Sequence, residues 1–263
     1  MLKILNIKGF TLVELMVALA LSSIIATALA AVYTGQQRVN QSQDQIVEMQ
    51  QNLRAGLEMM ARELRMAGYD PDKKWGTGFN APSSSTSNNI PLVDFTIVAN
   101  DDGIDNDGDS TIDEDGEIKR IQYVFFDGYG DGDMNGDGVV SCGNGIDLCD
   151  IGRQVGNDPA SNRVLIENVE RVEFLYTLVG PLPPLSPPPP TLTPSPADFN
   201  NDTIRSISIS VLVRASGISR GYTNSETYTT AFGAQWPIVP NNNNELYRRR
   251  MQIIQVNCRN MGW

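Results

Sequence analysis

Acidic side chains at alternate positions are the residues in this sequence best suited to chemistry. The window 101–117 holds nine acids and no base, a density that repels itself unless solvent or a cation neutralises it. Five oxygen-bearing side chains in it alternate as the ligands of a calcium loop do: Asp105, Asp107, Asp109, Thr111 and Asp113. Carboxylates on a flexible backbone suit Ca²⁺ better than Mg²⁺, which requires strict octahedral geometry. The pattern predicts a calcium site, with solvated acidic turns as the alternative.

A second acidic loop shows the same alternation. Its ligand positions would be Asp133, Asn135, Asp137 and Val139, the last through its carbonyl. This loop resembles the short D-x-N-x-D-G form of EF-hand and dockerin loops, with Gly138 at the turn. The first loop departs from that pattern, because Ser110 stands at the turn position and Gly116 replaces the last acid. We expect Ca²⁺ as a cofactor at one or two sites.

The acidity is local, which limits the partners that the chain can have. The net charge is −11, but 15 of the 31 acids lie between residues 101 and 150, where Lys119 and Arg120 are the only bases. A basic groove for nucleic acid is not evident. The chain has no histidine, so the commonest general base is missing. We predict that the protein is not an enzyme and does not bind nucleic acid.

Three cysteines are too few for a disulfide scaffold. Cys142 and Cys149 are seven residues apart, so in an exported domain they could close a local bridge. Cys258 is left over.

The element that must carry these loops begins with an apolar run near the amino terminus. Between Phe10 and Tyr33 the only charged side chain is Glu14, and there is no proline. A helix over this run would reach about 36 Å, enough to cross a bilayer. A carboxylate near the end of a membrane helix is costly, so Glu14 needs a partner.

The stretch around Gly9 and Phe10 closely resembles the amino-terminal signature of type IV prepilins and type II secretion pseudopilins. The resemblance implies that a prepilin peptidase cuts after Gly9 and methylates Phe10. It also implies that Glu14, then the fifth residue, pairs with the terminal amine of a neighbouring subunit. The alternatives are a signal anchor or a cleaved secretory signal.

Beyond residue 33 the helical pattern becomes amphipathic. Apolar residues recur on one face, namely Val39, Ile46, Met49, Leu53, Leu57, Met60, Leu64 and Ala67, and a helix to about residue 67 is predicted. Gly68 and Pro71 should end it. A coiled coil would give a similar stripe, but packing on a sheet explains it better.

Strand patterns follow at residues 92–99, 117–126, 163–178, 204–214, 226–232 and 249–256. The segment 204–214 alternates apolar residues with serines, which is typical of a strand with one face in water. Residues 180–196 hold nine prolines and should form an extended loop. We predict an α+β, type IV pilin-like fold, with a long amino-terminal helix packed on an antiparallel β-sheet carrying long loop insertions.

The predicted division of the chain has four parts. Residues 1–9 are a cleaved leader, 10–33 a transmembrane and filament-core half-helix, and 34–69 an amphipathic half-helix. Residues 70–263 form a globular β head with an acidic insertion at 101–150 and a proline-rich loop at 180–196.

Two weaker resemblances point to a subgroup within this family. Residues 60–69 resemble the corresponding segment of PilW-type minor pilins, and Arg248, Arg249 and Arg250 before the last strand resemble their ending and that of GspJ-type pseudopilins. These arginines could pair with acids on a neighbouring subunit or form a solvated basic edge.

The resemblance implies a minor pilin that primes assembly or sits at the tip of a type IV pilus. Its partners would be other minor and major pilins, the prepilin peptidase, the inner-membrane assembly platform and, before assembly, membrane lipid. It would reside in the inner membrane with a periplasmic head and then move to the cell-surface pilus. The alternatives are a calcium-dependent tip adhesin and a type II secretion pseudopilin.

Overall fold

A computed structural model describes residues 10–71, 75–80, 89–99, 105, 110, 117–128, 147–156, 163–178, 204–219, 221–237 and 244–259. By their internal contacts the residues divide into two units, Met1–Gln45 and Ile46–Trp263. We call the second unit the head.

One long helix, α1, covers Leu12–Leu64. It has no proline and only two glycines, Gly35 and Gly56, so nothing in it breaks the backbone hydrogen bonding. A turn follows, and Gly68 ends it with a φ of 73°, the left-handed conformation that glycine adopts readily at helix ends. The predicted helix and its stop signal are confirmed to within a few residues.

The head is built on a sheet of seven strands, all antiparallel to their neighbours, in the order β1-β2-β3-β4-β5-β6-β9. The strands are β1 Phe79–Asn80, β2 Asn89–Val98, β3 Ile118–Phe126, β4 Cys149–Val155, β5 Arg163–Leu178, β6 Ile204–Ile218 and β9 Tyr247–Asn257. A separate hairpin pairs β7 Thr227–Thr229 with β8 Gln235–Pro237. A single 3-10 turn, Asn244–Leu246, precedes β9.

The core lies between the sheet and the part of α1 that belongs to the head. The helix buries residues at a spacing of three or four, Met49, Leu53, Leu57, Met60 and Leu64, and they share one hydrophobic cluster with the strands. Val39 belongs to the predicted stripe but is 56% exposed. Burial of the stripe therefore begins at Met49. The predicted α+β architecture is confirmed.

A buried carboxylate also ties α1 to the sheet. Glu63 accepts a hydrogen bond from the Tyr123 hydroxyl, and its Oε1 lies 2.9 Å from Arg153 Nε. Burial is the main reason that the pKa of Tyr123 is raised, so this phenol stays protonated and donates. The pairing satisfies a charge that would otherwise be costly inside the core.

The prediction that β6 has one face in water is wrong. Ser206 and Ser210 are buried; Gln255 of β9 donates to Ser206 Oγ at 3.0 Å, and the β7–β8 hairpin region contacts this face at Ser210. The backbone N–H of Ala231 donates to Ser210 Oγ at 3.0 Å, and Thr230 Oγ1 donates to Glu173 Oε2 at 3.0 Å. Serine suits such a face because its hydroxyl bonds the covering backbone.

Candidate functional site

The amino-terminal site centres on the first turn of α1. The Thr11 N–H and the Thr11 hydroxyl both donate to Glu14 Oε2, each at 2.9 Å, and the Glu14 N–H donates to Thr11 Oγ1 at 3.2 Å. This reciprocal arrangement is a capping box, in which two side chains satisfy backbone donors at a helix start. The T-x-x-E spacing of Thr11 and Glu14 is its sequence signal. Glu14 therefore holds the helix start in addition to its predicted role between subunits.

Of the processing residues, Phe10 is exposed and lies just before α1, whereas Gly9 lies outside the described residues. Cutting after Gly9 would place the new amine one residue from Thr11 and four from Glu14.

The apolar part of α1 presents its side chains outward. The helix contains an 18-residue window of mean hydropathy 2.4, none of it buried, which is long and apolar enough to cross a membrane. Its hydroxyl side chains bond carbonyls of the same helix, as in Ser22 to Ala18 at 2.7 Å and Thr27 to Ser23 at 2.8 Å. A lipid environment demands such internal pairing, because it offers no water to polar groups.

In the first acidic loop, the structure describes Asp105 and Ser110. Ser110 has a φ of 80°, and its N–H donates to Asp105 Oδ2 at 2.9 Å. A positive φ is uncommon for a residue other than glycine, and it is the conformation that the turn position of a calcium loop requires. Ser110 thus takes the backbone shape that the sequence pattern assigns to glycine.

The other predicted ligands lie outside the described residues: Asp107, Asp109, Thr111, Asp113, Asp133, Asn135, Asp137 and Val139. Within the described ranges, no three His, Cys, Asp or Glu side chains group so as to hold a metal.

One comparison with known proteins concerns the amino-terminal segment. The family model of the prokaryotic N-terminal methylation motif matches residues 4–30, the segment that contains Gly9, Phe10 and Glu14. This match covers the amino-terminal segment of the chain and does not extend to the head. Among solved structures it is similar to a type IV-like pilin from Thermus thermophilus, at 15% identity and a TM-score of 0.44, over 82% of this chain and 100% of that one. No curated protein matches the chain.

Hydrogen bonds hold the residues on either side of the segment 129–146, which contains the second acidic loop and lies outside the described residues. Asp150, buried in β4, accepts hydrogen bonds at 3.1 Å from the N–H groups of Gly128 and Asn168. Cys149 is disulfide-bonded, and Cys258 is a free, buried thiol whose pKa burial raises to about 11. Cys142 lies outside the described residues, so the Cys142–Cys149 bridge stays a prediction. At pH 7 the Cys258 thiol is protonated and unreactive.

The carboxy-terminal arginines differ from the sequence prediction. Arg249 is buried and bonds Glu170 within the same chain, with Nε at 2.7 Å from Oε2 and Nη2 at 2.8 Å from Oε1. A role for Arg249 between subunits or on a solvated edge is therefore wrong. Its neighbours differ because side chains alternate along a strand: Arg248 stacks on Tyr222 at 4.4 Å, and Arg250 is exposed.

Glu170 is the centre of a buried ionic cluster that sequence reasoning missed. Arg214 Nη1 lies 3.4 Å from Glu170 Oε1, and the Arg214 guanidinium lies 4.1 Å from the centre of the Tyr247 ring. Burial lowers the pKa of Arg214, and the charges of Glu170 and Asp147 oppose that change. Asp147, near the end of the acidic insertion, is fully buried.

Proposed function

We propose that this protein is a minor pilin of a type IV pilus, which primes assembly or occupies the tip. The observation that carries the proposal is the amino-terminal site, where a methylation motif leads into an outward-facing apolar helix with Glu14 in its first turn. Partners would be other pilins, the prepilin peptidase and the inner-membrane assembly platform. The bulk of the head favours a minor position, since acidic and proline-rich insertions would crowd a subunit repeated along a fibre.

In this proposal Glu14 selects the correct neighbour. Its carboxylate is costly in lipid, and the capping box with Thr11 offsets only part of that cost. The terminal amine of an adjacent subunit would offset the remainder, and only a neighbour in the correct register could supply it. Extraction from the membrane thus becomes favourable only alongside a filament.

Glu14→Gln separates pairing from capping. Glutamine also serves in a capping box, so the helix start should survive while the charge is lost. We expect normal leader cleavage but at least a tenfold loss of subunit from sheared filaments, a loss of about 1.4 kcal/mol or more. The measurement is an immunoblot of filament and membrane fractions.

Thr11→Val is the matched control, since it removes the hydroxyl cap and keeps the charge. If Thr11→Val abolishes incorporation and Glu14→Gln does not, helix capping rather than pairing is the function of Glu14.

Deleting the chain's gene from its host tests the minor-pilin role directly. We expect filament number to fall, and quantitative mass spectrometry of wild-type filaments should find this chain far below the most abundant pilin. Abundance equal to the main subunit would overturn the proposal. Normal filaments that no longer attach to surfaces would favour a tip adhesin.

We also propose that the first acidic loop binds Ca²⁺. Support comes from Ser110, whose positive φ and hydrogen bond to Asp105 are those of a calcium-loop turn. Aspartates at alternate positions around that turn supply the hard oxygen ligands that Ca²⁺ prefers. The alternative is an acidic turn neutralised by solvent.

Calcium should raise the thermal stability of the head. At 100 times the dissociation constant, a single site adds about 2.7 kcal/mol, which corresponds to about 5–10 °C in Tm for a domain of this size. The measurement is thermal unfolding of the full chain in detergent, with millimolar Ca²⁺, then with chelator, and with Mg²⁺ for selectivity. Asp105→Asn should lose most of the shift, whereas Asp44→Asn, on the exposed part of α1, should keep it. An unchanged Tm and no heat of binding would refute the site.

A further inference from the structure

A groove of about 870 Å³ lies between α1 and β9 on the head. On the helix side it is lined by one stripe that includes Leu57 and Arg65, and on the strand side by Arg250, Met251, Gln252, Ile254 and Gln255. Successive side chains of a strand point to opposite faces. Residues from both faces of β9 line the groove, so it follows the edge of β9 rather than one face of it.

That edge is open in the part of the chain that the structure describes. β6 pairs with one side of β9 from Ser206↔Asn257 to Ile218↔Tyr247, and no described strand lies on the other side. β9 has 11 residues, whereas natural proteins usually keep edge strands short or covered. Ile253 on it is 45% exposed. A long, uncovered edge offers backbone donors and acceptors to an added strand.

The side chains around this edge suit a polypeptide that carries carboxylates. Four amides that can bond a peptide backbone line the groove: Gln50, Gln51, Gln252 and Gln255. Its charged residues are three arginines, Arg54, Arg65 and Arg250, against one acid, Glu58. Glu58 pairs with Arg54 at 3.2 Å, so the lining carries more positive than negative charge. Electrostatic complementarity of this kind favours acidic partners and disfavours basic ones.

We propose that the groove between α1 and β9 is a docking site for an extended, acidic segment of another pilus subunit, which adds a strand to β9. Backbone hydrogen bonds along β9 provide affinity, and the exposed Arg250 selects carboxylates. The inference rests on the proposed function only for the identity of the partner as a pilus subunit; the groove and its chemistry are independent of it.

The test uses the full chain in detergent and two synthetic nine-residue probes. One alternates valine with glutamate, and the other replaces each glutamate with glutamine. Fluorescence anisotropy measures affinity, and hydrogen exchange measures protection along β9. We expect the acidic probe to bind, to protect amides of residues 247–257, and to bind about tenfold more tightly than the glutamine probe.

Arg250→Glu should weaken the acidic probe about tenfold and remove its advantage over the glutamine probe. Arg163→Glu is the control, because Arg163 is also exposed on a strand of the same sheet but lies outside the groove. If thermal melting shows that Arg250→Glu does not fold, Arg250→Gln is used in its place. We then expect the affinity for the acidic probe to fall about threefold.

Three outcomes would overturn the docking site: no binding, equal loss in Arg250→Glu and Arg163→Glu, or protection away from β9. A dimer of the chain that forms without probe and is lost in Arg250→Glu would make a second copy the occupant and overturn an acidic partner segment. Filament counts from the deletion test are a separate measurement. If filament number does not fall in the deletion strain, the minor-pilin role is refuted, while the conclusion about the groove is unaffected.

Discussion

Glu170→Gln should lower the free energy of unfolding of the head by about 3–5 kcal/mol, because it leaves a buried positive charge without compensation. Glu170 is the carboxylate that two buried guanidinium groups, those of Arg214 and Arg249, both contact. Removing its charge leaves both buried bases without that partner. At about 2–4 °C per kcal/mol for a domain of this size, Tm should fall by about 10 °C. Urea unfolding of the full chain in detergent, followed by tryptophan fluorescence, measures the change.

A surface pair provides the control for this effect. Glu58→Gln breaks the ion pair of Arg54 and Glu58, whose side chains are 76% and 71% exposed. Exposed pairs at this spacing contribute about 0.3–0.5 kcal/mol, so the stability should barely change. Equal losses of stability in Glu58→Gln and Glu170→Gln would mean that the buried cluster contributes no more to the free energy of unfolding than an exposed ion pair.

A double variant distinguishes lost charge balance from lost packing. Adding Arg249→Met to Glu170→Gln removes one of the two guanidinium charges that Glu170→Gln leaves without its carboxylate. Apolar replacement of both partners of a buried ion pair is often close to neutral. The double variant should therefore be more stable than Glu170→Gln alone. A double variant that is less stable would mean that packing of the Arg249 side chain dominates.

The ionic cluster could not have been read from the sequence, because its members are far apart along the chain. Arg249 and Glu170 are 79 residues apart, and no local pattern links two residues at that separation. The basic run at 248–250 looks like one solvated patch in the sequence. Successive side chains of β9 point to opposite faces, and the face that carries Arg249 is covered at that position. Arg249 is therefore buried, whereas Arg250 is exposed.

The long helix and the main strands were predictable because their signals are local. An apolar run without proline and a stripe at helical spacing define α1, and alternation defines β5 and β6. β4 was missed because polar residues interrupt its pattern: Arg153 follows Cys149 and Ile151 on the face toward α1, and Asp150 and Gln154, also buried, lie on the other face. Asp150 is buried to hold the N–H groups of Gly128 and Asn168, a demand set by the fold around it.

The candidate sites divide in the same way. The capping box of Thr11 and Glu14 depends on two residues within four consecutive positions. Its hydrogen bonds and its place at the helix start could therefore be predicted from the sequence. Ser110 was read as a departure from the calcium-loop pattern because sequence rules reserve a positive φ for glycine. The hydrogen bond from its backbone to Asp105 stabilises that conformation in a serine. The groove along β9 had no sequence signal, since it depends on which strand ends the sheet.

Gly56→Ala should destabilise the head by about 2–4 kcal/mol, although alanine is the better helix former by about 1 kcal/mol. A Cβ at position 56 would lie 2.2 Å from Ile166 Cγ1 and 2.8 Å from the carbonyl oxygen of Leu165. The helix and β5 approach so closely here that only glycine fits. Because one of the two obstacles is backbone, a rotamer change of Ile166 cannot relieve the clash, and α1 must move away from the sheet.

Gly35→Ala is the matched control, because nothing lies within 4 Å of a Cβ at that position of the same helix. It gains the same helix propensity without a clash, so the unfolding of the head should be unchanged. Both variants would be compared by urea midpoint and slope, since a shift of the midpoint at constant slope reports stability alone. Equal midpoints for Gly56→Ala and wild type would mean that the helix packs on β5 more loosely than the structure shows. A large loss confined to Gly56→Ala would identify this contact as the one that sets the distance between α1 and the sheet, and hence the position of the groove beside β9.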